Sequence, residues 1–321
     1  MTNPFLAHVE EDFRAVNDLI EFNLTSDVPL VKEIASYLIK AGGKRLRPLL
    51  VLLCARACNY QGVHHVKLAA VIEFLHTAML LHDDVVDESK LRRGKKTVNA
   101  EWGNAASVLV GDFLHSRAFE MMVDIGDIRV MEILSRATNV IAQGEVQQLI
   151  SIHNPATTEA EYKEIIYRKT AMLFQAAAQV GAVIAGADPK TEKALGAFGL
   201  HLGIAFQMVD DRLDYLGSSK ELGKNIGDDL AEGKVTLPLI IAMKNGTPDQ
   251  REFVESVIKK GGVDNLSEII QVVQTTGALK YTAEQATVER CSALEQLKYV
   301  ADSKFKHSMT ALINFVVERH S

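Results

Sequence analysis

The sequence has little that would hold a fold together covalently or carry it through a membrane. Three cysteines in 321 residues are an odd and small number, which excludes a disulfide framework. Cys54 and Cys58 stand at i and i+4 inside an apolar helical run and read as reduced core thiols. No run of roughly 18 or more apolar residues occurs, so no spanning helix is expected. The longest weakly polar stretch, Ala171 to Ala187, still carries Gln175 and Gln179. With only 7 prolines, 47% hydrophobic and 24% charged residues, the composition is that of a globular protein and not of a disordered or fibrous one. Met1 to Glu10 holds no Lys or Arg ahead of an apolar segment; no signal or transit peptide is read, and a cytoplasmic location is expected. A net charge of −6 argues against a nucleic-acid partner, which would want a basic face.

What is present is helix. Between Val66 and Leu81, the apolar residues Leu68, Val71, Ile72, Leu75, Met79 and Leu80 recur at spacings of three and four, the helical period. Alternation of strand length is almost absent. Thr158 with Glu161 and Thr247 with Gln250 have capping-box spacing, and Pro189 and Pro248 stand where a first helical residue would. With no Ser/Gly-rich linker and no composition shift, the expectation is one all-α domain over residues 1–321.

One pattern occurs twice. His76 to Asp87 and Gly203 to Asp214 are both apolar helical segments ending in Asp-Asp-x-x-Asp. Asp83 and Asp87 lie at i and i+4, so they share a helix face, with Asp84 beside them. Carboxylates crowded at the end of an apolar helix repel unless cations neutralise them, and oxygen-only donors suit a hard divalent ion; magnesium fits best. Asp210, Asp211 and Asp214 repeat the arrangement. A single triplet would be a solvated helix end, but its duplication points to metal and a polyanion.

Basic residues supply the complement against the acidic background. Gly42-Gly-Lys-Arg-Leu-Arg-Pro48 puts Lys44 and Arg47 at a helix entrance, where backbone amides and the dipole favour phosphate. Arg92 and Arg93 follow Asp87 within the loop that leaves the first acidic helix, and Lys169-Thr170, Lys224 and Lys234 are further candidates. Arg45, Lys95 and Lys96 read as solvated charges.

Together, the two aspartate-rich motifs, Gly-Gly-Lys-Arg-Leu-Arg-Pro, Leu-Arg-Arg-Gly, Arg-Lys-Thr, Phe-Gln-x-x-Asp-Asp-x-x-Asp and Gly-Lys-x-x-Gly-Asp-Asp resemble the trans-isoprenyl (polyprenyl) diphosphate synthases. The resemblance implies a single large helical bundle of the isoprenoid synthase type around a central apolar cavity. It implies that Lys44, Arg47, His76 and Arg93 hold the diphosphate of isopentenyl diphosphate. Arg92, Lys169, Thr170, Gln207, Lys224 and Lys234 would face an allylic diphosphate such as farnesyl diphosphate, bridged by several magnesium ions to Asp83, Asp87 and Asp210. Asp84, Asp211 and Asp214 would complete the acidic clusters. A homodimer is implied too, with at most peripheral membrane contact, since no basic amphipathic anchor is found.

The chemistry implied is ionisation of the allylic C–O bond, attack by the double bond of isopentenyl diphosphate, and proton loss. It needs no side-chain nucleophile, and no recognisable Ser-His-Asp, Cys-His or Walker-type motif is found. Ala78 lies five residues, or about 7.5 Å along the axis, before Asp83. In similar enzymes an aromatic side chain near this position stops chain growth. Ala78 with Met79 and Leu75 leaves room for a long product, expected to be an octaprenyl chain of the kind used as a quinone tail. Geranylgeranyl, nonaprenyl and decaprenyl products, or a non-catalytic subunit of a heteromeric prenyltransferase, are the alternatives. Phe113, Phe119, Met121 and Met122 are candidates for the tunnel floor.

Overall fold

The computed structural model describes residues 5–92, 94–216, 227–262 and 264–319. In chain order the elements are α1 (Glu10–Asn23), α2 (Pro29–Ala41), α3 (Leu46–Ala57), α4 (His64–Val86), β1 (Leu91–Arg92), β2 (Lys95–Lys96), α5 (Val98–Trp102), α6 (Asn104–Val123) and α7 (Ile128–Ser151). Then come α8 (Glu159–Ile166), a π-helical turn (Tyr167–Ala171), α9 (Met172–Ile184), α10 (Pro189–Leu213), α11 (Asp228–Ala231), α12 (Leu237–Asn245), α13 (Pro248–Lys260), α14 (Leu266–Thr275), α15 (Ala278–Gln296) and α16 (Lys304–Glu318). The all-α expectation holds, and both capping boxes form: Thr158 and Thr247 each accept from the backbone amide three residues on.

The chain divides into two compact units. One comprises Met1–Thr138, Leu173–Gly199 and Gln296–Leu312; the other comprises Asn139–Met172, Leu200–Glu295 and Ile313–Ser321. In the first, the α3 residues from Leu49 to Ala55 are all fully buried, as a helical stretch apolar on every side must be. Pro48 sits in its first turn, where a missing N–H costs nothing. α4 packs against α1, α3 and α6. The second unit has its own core, built from Met208, Val209 and Leu213 of α10 with Leu237, Ile241, Val254, Ile258 and Ile269.

Two local features position the site. α4 stops at the aspartate motif because Glu88 turns left-handed (φ 51°). There the amides of Ser89 and Glu88 fold back onto the carbonyls of Asp84 (3.0 Å) and Val85 (3.4 Å), a Schellman closure. The Arg-Arg-Gly segment, expected as loop, begins in a two-residue antiparallel ribbon that pairs Leu91 with Lys96 and Arg92 with Lys95.

Candidate active site

In the first unit, Asp83 in the last turn of α4 and Asp87 at its C-cap stand one turn apart, both half-exposed. Asp84 does not join them. It is 3% exposed, and its Oδ1 accepts from Arg92 Nε (2.8 Å) and Nη2 (2.7 Å). Burial pushes the Asp84 carboxyl up, while Arg92 pulls it back down. Burial works against the charge of Arg92 too, but Asp84, with Asp83 and Asp87, holds its guanidinium more firmly protonated. The three carboxylates therefore split into an outward pair and one internal counter-charge, and Arg92 is anchored by the same motif it was expected to complement.

The basic residues gather on α3 and α4. Arg47 Nη1 donates to His76 Nε2 at 3.1 Å. An arginine has no acceptor, so His76 presents a lone pair at Nε2. The Arg47 guanidinium also lies 4.3 Å from the Phe174 ring centroid, a cation–π contact that fixes its plane. Lys44 stands exposed just ahead of α3. A cavity in this unit is lined by Arg45, Glu73, His76, Asp84, Arg92 and Lys95 at its polar side and by Leu38, Phe74, Leu80, Leu81 and Leu114 at its apolar side. Arg45 corrects the reading of a solvated charge: its side chain is 15% exposed and lies 4.0 Å from Glu73. Ala78 (1% exposed) and Leu75 are buried, while Met79 is half-buried. Of the floor candidates on α6, Met121 and Met122 are buried. Phe113 and Phe119 are half-buried, the first against Arg117 and the second against His115.

In the second unit, Thr170, Gln207 and Asp211 form one hydrogen-bonded chain. Thr170 Oγ1 donates to Gln207 Oε1 (2.9 Å), and Gln207 Nε2 donates to Asp211 Oδ1 (2.7 Å). Tyr162 closes it by donating from its hydroxyl to Asp211 Oδ2 at 2.6 Å. Burial, with Asp229 and Asp210 nearby, pushes Asp211 up to about 7 against the pull of these two donors. Asp214 is fully buried and accepts from the Asp229 amide at 3.3 Å. Asp210 is bonded by Arg319 Nη2, whose guanidinium lies 4.2 Å from the Phe206 ring centroid. Lys169 Nζ reaches Glu145 Oε2 (2.6 Å) and Gln148 Oε1 (2.7 Å) on α7. It sits in the π-helical turn, which α7 can approach because residue 144 is glycine: a Cβ there would come within 2.9 Å of the Lys169 backbone nitrogen. Lys234 Nζ donates to Glu232 at 2.6 Å.

Arg93 and Lys224 lie outside the described residues. Tyr162, Glu145, Gln148 and Arg319 were not foreseen. Glu145 and Gln148 stand three residues apart on α7 just after Gly144, a helical spacing visible in the sequence; nothing in the sequence singles out Arg319 or Tyr162.

Asp83 and Asp87 in the first unit and Asp210 in the second each offer only oxygen from half-exposed positions, a donor chemistry that suits a hard divalent ion such as magnesium. Among the described residues no three potential metal-ligating side chains are placed as a ready-made cage.

The chain resembles known proteins over nearly its whole length. The polyprenyl synthetase family model covers residues 28–275. The chain is 47% identical to the octaprenyl diphosphate synthase of Escherichia coli over 96% of both chains. It is 46% identical to an all-trans-nonaprenyl-diphosphate synthase of Rhodobacter capsulatus, geranyl-diphosphate specific, over 98% of this chain and 97% of that one. A polyprenyl synthase of Caulobacter crescentus, crystallised with calcium and isoprenyl diphosphate, superposes with a TM-score of 0.97 at 44% identity, covering 100% of this chain and 98% of the other. With a family model matching most of its length and relatives above 40% identity over nearly all of it, the chain belongs to the polyprenyl synthetase family.

Proposed function

We propose that the protein is an all-trans octaprenyl diphosphate synthase that extends farnesyl diphosphate with isopentenyl diphosphate. The observation that carries the reading is full-length 47% identity to an octaprenyl synthase with both Asp-Asp-x-x-Asp motifs intact. A non-catalytic subunit would be expected to have lost one of them. The buried alanine at position 78 agrees with a long product. The nonaprenyl relative, at 46% identity, is the reason the final length needs measuring.

Asp83, Asp87 and Asp210 would hold magnesium, which when bound supplies positive charge to a departing diphosphate. The chain's own residues do the rest. Lys169 and Arg92 present cationic donors to the allylic diphosphate, each already oriented by a carboxylate, so little reorganisation is needed as charge develops. Thr170 and Gln207 hold the buried Asp211 in place, and Lys234 and Lys224 add charge. Lys44, Arg47, His76 and Arg93 bind isopentenyl diphosphate, with His76 accepting from Arg47. The apolar side chains of α4 exclude water from the allylic cation.

The enzyme would act as a cytoplasmic homodimer with at most peripheral membrane contact. The test is to incubate the purified chain with magnesium, farnesyl diphosphate and labelled isopentenyl diphosphate and size the dephosphorylated product by mass. A dominant octaprenyl product is expected. A different long product overturns the length, and no product overturns the stand-alone enzyme.

A further inference from the structure

Arg45 lies between Lys44 and Arg47, two of the residues proposed to bind isopentenyl diphosphate. It caps the N-terminus of α3 in the left-handed conformation, φ 45° and ψ 42°, and its carbonyl accepts the first helical bond from the Leu49 amide at 3.2 Å. That backbone region is disfavoured for any residue with a Cβ, and glycine or asparagine normally fills it. An arginine stays there only when its surroundings hold it. Here they do: the guanidinium donates to Asn17 Oδ1 on α1 and lies 4.0 Å from Glu73 Oε1 on α4, with the Arg45 and Glu73 side chains 15% and 14% exposed. Arg45 and Glu73 also line the cavity that His76 lines.

We propose that Asn17, Arg45 and Glu73 form a clamp that sets the affinity for isopentenyl diphosphate by fixing the turn that presents Lys44 and Arg47. The dihedral pair at residue 45 decides the direction in which the chain enters α3. It therefore decides where Lys44, just before the turn, stands relative to Arg47, just after it. Two helices hold one guanidinium, and that guanidinium holds the strained residue. Arg45 is thus a positioning residue that does not touch the substrate. The inference rests on the proposed roles of Lys44 and Arg47.

The test is steady-state kinetics of Arg45→Ala, Arg45→Lys, Asn17→Ala and Glu73→Gln with each substrate varied separately. Arg45→Ala is expected to raise KM for isopentenyl diphosphate about tenfold, leaving kcat and the allylic KM within about twofold. Asn17→Ala and Glu73→Gln move the same parameter about threefold, and Arg45→Lys recovers part of the loss. The double variant Arg45→Ala/Glu73→Gln is no worse than Arg45→Ala alone, since both cut one path. Should Arg45→Ala fail to fold, Arg45→Lys and Glu73→Gln carry the test. The clamp is overturned if Arg45→Ala changes only thermal stability. It is equally overturned if Arg45→Ala raises KM while Asn17→Ala and Glu73→Gln leave it alone, which would mean direct contact with substrate. Lys44→Ala and Arg47→Ala run beside them: an unchanged KM for isopentenyl diphosphate in those two overturns the site assignment itself.

Discussion

In the first aspartate motif the buried middle residue, Asp84, is met by a guanidinium only eight residues away. In the second, the equivalent Asp211 meets two neutral donors, Tyr162 and Gln207. A guanidinium of that unit, Arg319, comes from 109 residues along the chain and lands on Asp210 instead. Spacing on a helix fixes which carboxylates share a face. It does not fix which of them keeps its charge, because that depends on whether the neighbour brings a full positive charge or only an O–H or N–H.

Removing an outward carboxylate should break both sites alike, so the largest effects come first. Asp83→Ala and Asp210→Ala are each expected to lower kcat on the order of a thousandfold, read as incorporation of labelled isopentenyl diphosphate. A much milder loss in one would show that the motifs are not equivalent as metal holders. Asp84→Asn strips Arg92 of its counter-charge and should cost on the order of a hundredfold in kcat/KM for the allylic substrate, with about 1–2 kcal/mol of stability. Arg92→Lys should give a similar loss, because one ammonium cannot reproduce the paired N–H contacts.

The inner carboxylate of the second motif separates the two by pH. Asp211 has an ordinary value of 3.8 and is held at about 7. Between those values the folded metal-free chain binds a proton that the unfolded chain has released. Its contribution to stability is present below 3.8 and lost as pH rises through about 7. Asp211→Asn should therefore remove part of that decline, raising Tm by a few degrees at about pH 8 relative to the parent and much less near pH 4. Asp84→Asn, which unpairs Arg92, should lower Tm at both. The smallest effect is expected from Tyr162→Phe, which removes one donor to Asp211 and should cost about 1 kcal/mol in urea unfolding.

The helical class was legible because the apolar period of three and four runs from Val66 to Leu81, within α4, and because capping residues at Thr158 and Thr247 announce their helices locally. Asp83, Asp87 and Asp210 were legible for the same reason, since i, i+4 spacing is a property of one helix. The partners that set the charge of the buried aspartates were not. The position of Arg92 in sequence gives no sign that its guanidinium also bonds Asp84. Tyr162 and Arg319 come from other elements entirely, and the strained backbone of Arg45 follows from its fixation by α1 and α4. A residue's type can be read in one dimension, but its partner in these cases exists only after folding.

The π-helical turn at Tyr167–Ala171 carries one last consequence. It inserts one residue into what is otherwise a continuous helix from Glu159 to Ile184, shifting the phase of everything after it by about 100°. Tyr162, Ile165 and Ile166 before the shift, and Leu173, Phe174 and Ala177 after it, are all buried. A single-codon deletion within the turn would give the helix regular hydrogen bonding, yet rotate one of these two stripes away from its core. Gene variants that shorten this segment by one residue should therefore be purged.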